Sequence, residues 1–240
     1  MGLFDKKFCS ICGEKIGLLG NRKLEDGNLC KDCAGKLSPW FSDRRNSTVE
    51  EIKAQLAYRE ANKEAVAAFR PTITMGGNKK IMLDEAKKQF VVTSASNLAS
   101  ANPDVIDYSD VTGCELDIQE RKIEIKKKDA DGKEVSYNPP RYRREYDFYI
   151  EIRVNNPYFD EIRFQLNDSS VESNNLTEYR KYEKMGEEIK SALVEARDNI
   201  REEAAAAAAP KQPVTCPSCG AITTPDANGC CEYCGSPLNA

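Results

Sequence analysis

Cys-x-x-Cys occurs four times in this chain, and nothing else in the sequence restricts its folding as sharply. Cys9 and Cys12 form the first pair, and Cys30 and Cys33 follow after seventeen intervening residues. Cys216 with Cys219 and Cys231 with Cys234 repeat the arrangement near the other end. Two such pairs can bring four thiolates onto one tetrahedral ion, so the spacing predicts two four-cysteine zinc sites. Cys230 stands next to Cys231. The expected ligand is Cys231, because Cys231-Glu232-Tyr233-Cys234-Gly235 has the Cys-x-x-Cys-Gly form of a zinc knuckle, and Cys230 is left as a spare.

Ten cysteines would mean disulfides in an oxidising compartment, so the compartment matters. Met1 to Lys7 lacks the apolar run of a signal peptide. Lys6 stands where an N-myristoylation signal needs Ser or Thr. No apolar run approaches the ~20 residues of a membrane span. The expected location is therefore the reducing cytoplasm, where paired Cys-x-x-Cys motifs read as metal ligands. The chain has no histidine, which removes His-dependent triads, His general bases and mixed Cys/His metal sites. A net charge of −4 gives no bulk basic bias toward nucleic acid.

Gly13 after Cys12 allows the tight turn in which backbone N–H groups point at sulfur. Turn formers at Gly17, Gly20-Asn21 and Asp26-Gly27 separate short apolar pieces and predict a small hairpin before Cys30. Cys30 and Cys33 then open a short helical stretch through Leu37, and knuckle, hairpin and helix in that order form a treble-clef arrangement. Phe4-Asp5-Lys6-Lys7-Phe8-Cys9-Ser10-Ile11-Cys12-Gly13, Asn21-Arg22-Lys23-Leu24, and Asp26-Gly27 ahead of Cys30-Lys31-Asp32-Cys33 resemble a bacterial family of N-terminal cysteine-rich domains of unknown function. The resemblance covers residues 1 to 45 and implies a reusable interaction module. Trp40 and Phe41 follow, and read either as aromatics packed on the module or as an exposed anchor for a partner.

Ser47-x-x-Glu50 has the form of a capping box and predicts a helix that Pro71 stops. Its apolar stripe of Val49, Ile52, Leu56, Val66 and Phe69 is thin, which suits a connector. Residues 72 to 170 alternate with period two, most clearly at Tyr146, Phe148, Ile150, Ile152 and Val154, and predict an antiparallel sheet. From Leu176 to Ala208, apolar residues step by three and four (Leu176, Tyr179, Tyr182, Met185, Ile189, Leu193), so one helical stripe can cap that sheet. Pro210 and Pro213 end the helix. Strands followed by one amphipathic helix resemble the pleckstrin-homology-like (PH-like) fold over residues 72 to 200. The match rests on that order and on the Lys80–Asp84 and Val105–Val111 segments. That resemblance implies binding to proteins, peptides or lipid headgroups and no catalysis. The loop that would meet a lipid polyphosphate holds Glu85, Lys87 and Lys88, which is little net charge, so peripheral lipid binding is the least favoured partner class.

The expected fold is α+β and multidomain. A treble-clef-like zinc module spans 1–46, a connector helix 47–70, and an antiparallel PH-like β domain with its C-terminal helix 71–203. An alanine-rich helical extension and proline linker covers 204–213, and a zinc ribbon 214–240. Four thiolates close a zinc site, so both ions are expected to be structural and no catalytic residue is assigned. Asp129-Ala130-Asp131-Gly132 fails the calcium-loop pattern and reads as a hairpin turn. Cys114 aligns with Leu116 and Ile118 as a small buried hydrophobe.

The expected function is a non-enzymatic adaptor that recognises a protein partner. The alternative is a nucleic-acid-binding regulator using Arg141-Tyr142-Arg143-Arg144, a segment that otherwise reads as a solvated loop entering a strand. Local charge favours the first. Residues 1–46 hold nine Lys/Arg against six Asp/Glu, and residues 210–240 hold Lys211 against Asp226 and Glu232.

Overall fold

The computed structural model describes residues 6–208, 213–226 and 228–238. Residues 1–5 of the N-terminal reading and Pro210 of the linker lie outside the described residues. The chain forms two compact units, 1–198 and 199–240.

The first unit begins with two minimal hairpins. β1 (Lys7–Phe8) pairs with β2 (Lys15–Ile16), and β3 (Arg22–Lys23) with β4 (Asn28–Leu29). Helix α1 (Lys31–Ala34) follows, shorter than the stretch to Leu37 that the sequence predicts. Ile16, Leu24, Leu29 and Leu37 are buried with Cys9 and Cys33, so cysteine and aliphatic side chains share one small core. A 3-10 turn at Asp43–Asn46 leads to α2 (Val49–Ala68).

The capping box of α2 lies one residue beyond the predicted one. The Thr48 hydroxyl accepts from the Glu51 N–H, and the Glu51 carboxylate accepts from the Thr48 N–H at 2.7 Å. Ser47 is buried instead, donating from its hydroxyl to the Asp43 carbonyl at 2.9 Å. Two overlapping S/T-x-x-E patterns were available, and the 3-10 turn had already claimed Ser47. The buried face of α2 is Ile52, Gln55, Arg59, Asn62 and Val66. That face is helical in period but mostly polar, which is why a helix read as a thin connector is packed along its length. Ile52 joins the cysteine-containing core, while Arg59 and Asn62 hold the loop after α3 (Leu98–Ala101).

β5 (Ile73–Gly76), β6 (Lys80–Asp84), β7 (Gln89–Thr93) and β8 (Ile106–Asp107) form a four-stranded antiparallel sheet in chain order, with α3 inserted before β8. The second sheet is built on β10 (Glu134–Asn156), which pairs along its length with β9 (Val111–Lys128). Its other edge pairs with β11 (Phe159–Gln165) and β12 (Val171–Glu172). Phe148, Ile150, Ile152 and Val154 are buried, as are Ile162, Phe164 and Leu166, so the predicted alternation is realised.

α4 (Leu176–Ala208) lies on this sheet through Tyr182, Ile189 and Leu193. Tyr179 meets Tyr146 and Phe148 edge-on, at 5.0 and 5.1 Å. Leu176, predicted to start the stripe, is 61% exposed. Gly186 sits where a Cβ would come within 2.5 Å of the Leu116 Cδ1, so helix and strand touch there only because that side chain is missing.

The Arg141–Tyr146 segment is not a loop. Arg141 lies opposite Ile125 and Tyr146 opposite Glu120, within β10. The register breaks between Ser136 and Arg141, around Pro139-Pro140, which have no N–H to give the ladder. In the second unit, β13 (Val214–Thr215) pairs with β14 (Ile222–Thr223), and Cys216, Cys231 and Leu238 pack with Val214. No described helix is long and apolar enough to cross a membrane.

Candidate metal centres

Three of the four Cys-x-x-Cys segments adopt one backbone arrangement. In the first, the Cys9 N–H donates to the Glu14 carbonyl and the Gly13 N–H to the Cys9 carbonyl, both at 2.9 Å. The same two bonds recur from Cys216 to Ala221 with Gly220, and from Cys231 to Ser236 with Gly235, all at 2.8 Å. Gly13, Gly220 and Gly235 have φ of 75°, 71° and 69°, the left-handed region that costs other residues strain. The fourth segment differs. Cys30 is the N-cap of α1, and its sulfur accepts from the Cys33 N–H at 3.3 Å.

These segments bring the thiols into two groups, Cys9, Cys12, Cys30 and Cys33, and Cys216, Cys219, Cys231 and Cys234, with sulfurs within 4.8 Å of one another. The Sγ separations are 3.8 Å for Cys12–Cys30, 3.6 Å for Cys216–Cys234 and 3.7 Å for Cys219–Cys231. A disulfide would need about 2.05 Å. A tetrahedron of sulfurs around an ion at about 2.3 Å has edges of about 3.8 Å, so these groups fit a tetrahedral metal site with four thiolate ligands. Cys230 stands outside the second group. Its N–H donates to Asp226 Oδ1 at 2.8 Å, and its thiol faces the Asn228 carbonyl.

Each group holds one thiol that is easily ionised. Burial pushes Cys9 up, but the backbone N–H groups of Cys12, Cys30 and Ile11 outweigh it and bring the thiol down to about 6. The Cys30 N–H reaches the Cys9 sulfur at 3.3 Å. In the other group the Ser236 hydroxyl and N–H bring Cys234 down to about 6. Cys33 and Cys219 move the other way. Burial and the neighbouring thiols raise Cys33, and the Cys234 and Cys216 sulfurs push Cys219 up to about 12 despite the Ala221 N–H. At neutral pH each quartet thus presents a thiolate, the form that binds metal.

The surroundings engage other predicted features. Phe41 packs on the N-terminal core and meets Tyr158 edge-on at 6.5 Å, while Lys79 lies over the Trp40 ring at 5.0 Å. The aromatic pair is therefore spent on contacts within the chain. Next to the first cysteine group a hollow of 500 Å³ runs between α1, α2 and α3. Of the charged groups that line it, Arg59 pairs with Asp104 at 2.7 Å and Lys63 with Glu60 at 2.6 Å, and Lys36 lines it as well. Cys114 is buried within the sheet, and that burial pushes its thiol up to about 12.

Residues 7–55 match a sequence family described as a domain of unknown function, DUF4428. No curated protein and no solved structure matches the chain. The match spans both hairpins, all four cysteines of the first group and the first turns of α2. The N-terminal module is thus a recurrent unit.

Proposed function

We propose that the chain is a non-enzymatic, zinc-organised interaction protein. Two structural zinc ions hold a treble-clef-like module near one end and a ribbon-like module near the other. The sulfur geometry carries this reading: separations of 3.6–3.8 Å are the edge of a tetrahedron closed on all sides by thiolate. Such a site has no position for water or substrate, so the ion would supply cohesion and no chemistry of its own. Four antiparallel strands, then the long strands, then a helix follow the PH-like order, and that order supports a binding role for the β domain. The expected partner is a protein, met in a reducing compartment.

The nucleic-acid alternative loses support where its residues are. Arg143 pairs with Glu145 at 2.9 Å and Glu172 at 3.5 Å, and Arg144 pairs with Glu120 at 3.4 Å. Arg141 stacks over Tyr137 at 4.6 Å. Three of the basic groups that would face phosphate already have partners.

The test is affinity capture from native cells with the full chain and with its Cys219→Ser/Cys234→Ser variant, alongside metal analysis. A protein retained by the first and lost by the second supports the reading. Turnover of a substrate, abolished by substituting one polar residue that is not a cysteine, would overturn it. A low-salt mobility shift with DNA or RNA, lost on changing Arg141, Arg143 and Arg144, would favour the alternative.

A further inference from the structure

The turn between β2 and β3 is Gly17-Leu18-Leu19-Gly20, closed by the Gly20 N–H donating to the Gly17 carbonyl at 3.0 Å. Leu18 and Leu19 are 91% and 90% exposed, the most exposed large apolar side chains described. Two adjacent leucines on such a turn gain nothing from folding, and a surface that took them out of water would gain the free energy of their burial.

Their neighbours carry the second observation. The Arg22 guanidinium reaches back to the Leu19 carbonyl at 3.4 Å, placing positive charge at the foot of the turn. Arg22 and Lys23 then line a depression of 240 Å³ together with Arg44 and Arg45. Among the described residues, none of these four cations is in an ion pair. The Arg44 Nη1 is buried without a hydrogen-bond partner among them. Native structures rarely leave such a donor unmatched. The acids nearest in sequence, Asp26 and Asp43, accept from the Val49 N–H and the Asn46 amide, both at 2.7 Å, and neither forms an ion pair with these cations.

We propose that this corner of the N-terminal module docks on an anionic lipid surface, with Leu18 and Leu19 entering the headgroup boundary and the four cations meeting lipid phosphate or carboxylate. A convex apolar tip with unpaired cations at its foot is complementary to such an interface. Nucleic acid would satisfy the charges and leave the leucines wet. The inference is independent of the protein partner proposed above and needs only the folded module. The cations are about twenty residues apart in sequence, as Arg22-Lys23 and Arg44-Arg45, and come together only because the 3-10 turn packs beside β3.

The test is co-sedimentation of the full, metal-loaded chain with phosphatidylcholine vesicles, with and without phosphatidylserine. The chain should bind only the anionic vesicles and be released by salt. Each Lys or Arg near such a surface is worth a factor of about five, so Arg44→Gln/Arg45→Gln should weaken binding about 25-fold. Leu18→Ser/Leu19→Ser should weaken it at least about tenfold. These side chains lie outside the core, and unchanged zinc content shows that the variants are folded. No binding to anionic vesicles at low salt would overturn the proposal, as would binding indifferent to the leucine changes. Full competition by inorganic phosphate would assign the depression to a free anion instead. A mobility shift with DNA that is lost in the arginine variant and kept in the leucine variant would assign it to nucleic acid.

Discussion

Replacing Arg59 by Met tests how the first unit holds together. The Arg59 and Asp104 side chains are 8% and 0% exposed, and their contact is 2.7 Å. Arg59 also donates to the Asn102 carbonyl, and once the guanidinium is gone Asp104 keeps the Ser38 hydroxyl, at 2.8 Å, and loses its cation. Removing one partner of a buried pair costs about 3–5 kcal/mol because the other charge stays behind, against up to about 1 kcal/mol for a surface pair. Burial already pushes the Asp104 carboxyl up, opposed by Arg59 and Ser38. Without Arg59 it rises further. An acid whose folded value is raised stabilises most below its unfolded value, and that contribution is lost as pH rises through the folded one. The variant should therefore be most destabilised at neutral pH, with the gap to the parent closing as pH falls.

Trp40, the single tryptophan, sits at this junction, its backbone N–H donating to the Ser38 hydroxyl at 3.1 Å. Its emission during urea unfolding gives the midpoint at each pH. Arg59→Met/Asp104→Leu should recover most of the loss. A loss under about 1 kcal/mol, or one that does not change with pH, would refute the argument.

Elemental analysis of the full chain should find two zinc ions, two again in Cys230→Ser, and one in Cys231→Ser. Gly186→Ala should cost about 1–3 kcal/mol of stability, seen as a lower thermal midpoint by circular dichroism, because the new methyl meets Leu116 at 2.5 Å. Thr48→Ala should cost about 1 kcal/mol in the same measurement by removing the α2 cap.

What the sequence makes legible follows from how local its causes are. The cysteine groups are set by spacing and, in three of the four segments, by a glycine that must turn, so the gathering of eight cysteines into two groups, with Cys230 outside them, is readable from the chain alone. The alternation through Phe148, Ile150 and Ile152 and the α4 stripe are equally local. The buried face of α2 is not, because Arg59 and Asn62 look like solvent-facing residues until Asp104 and Asn102, about forty residues away, come to meet them. Arg141–Tyr146 misleads for a related reason. Prolines and charge favour a loop, and pairing with β9 overrides both. The basic corner at Arg22 and Arg44 depends on a turn that brings two unremarkable dipeptides together.

The two metal groups rest on unequal foundations. Around the first, Ile16, Leu24, Leu29, Leu37 and Ile52 are buried with the cysteines, and α2 supplies part of the wall. Around the second, the described core is Cys216, Cys231 and Leu238 with Val214. Where metal binding must also fold its own site, the ordering cost comes out of the observed affinity. The C-terminal group should thus release its ion first as free zinc falls, leaving the N-terminal group loaded. Over a window of metal supply the same polypeptide should then exist as a species with its C-terminal module melted and its N-terminal module intact, so that scarcity of metal alone sets which end is folded.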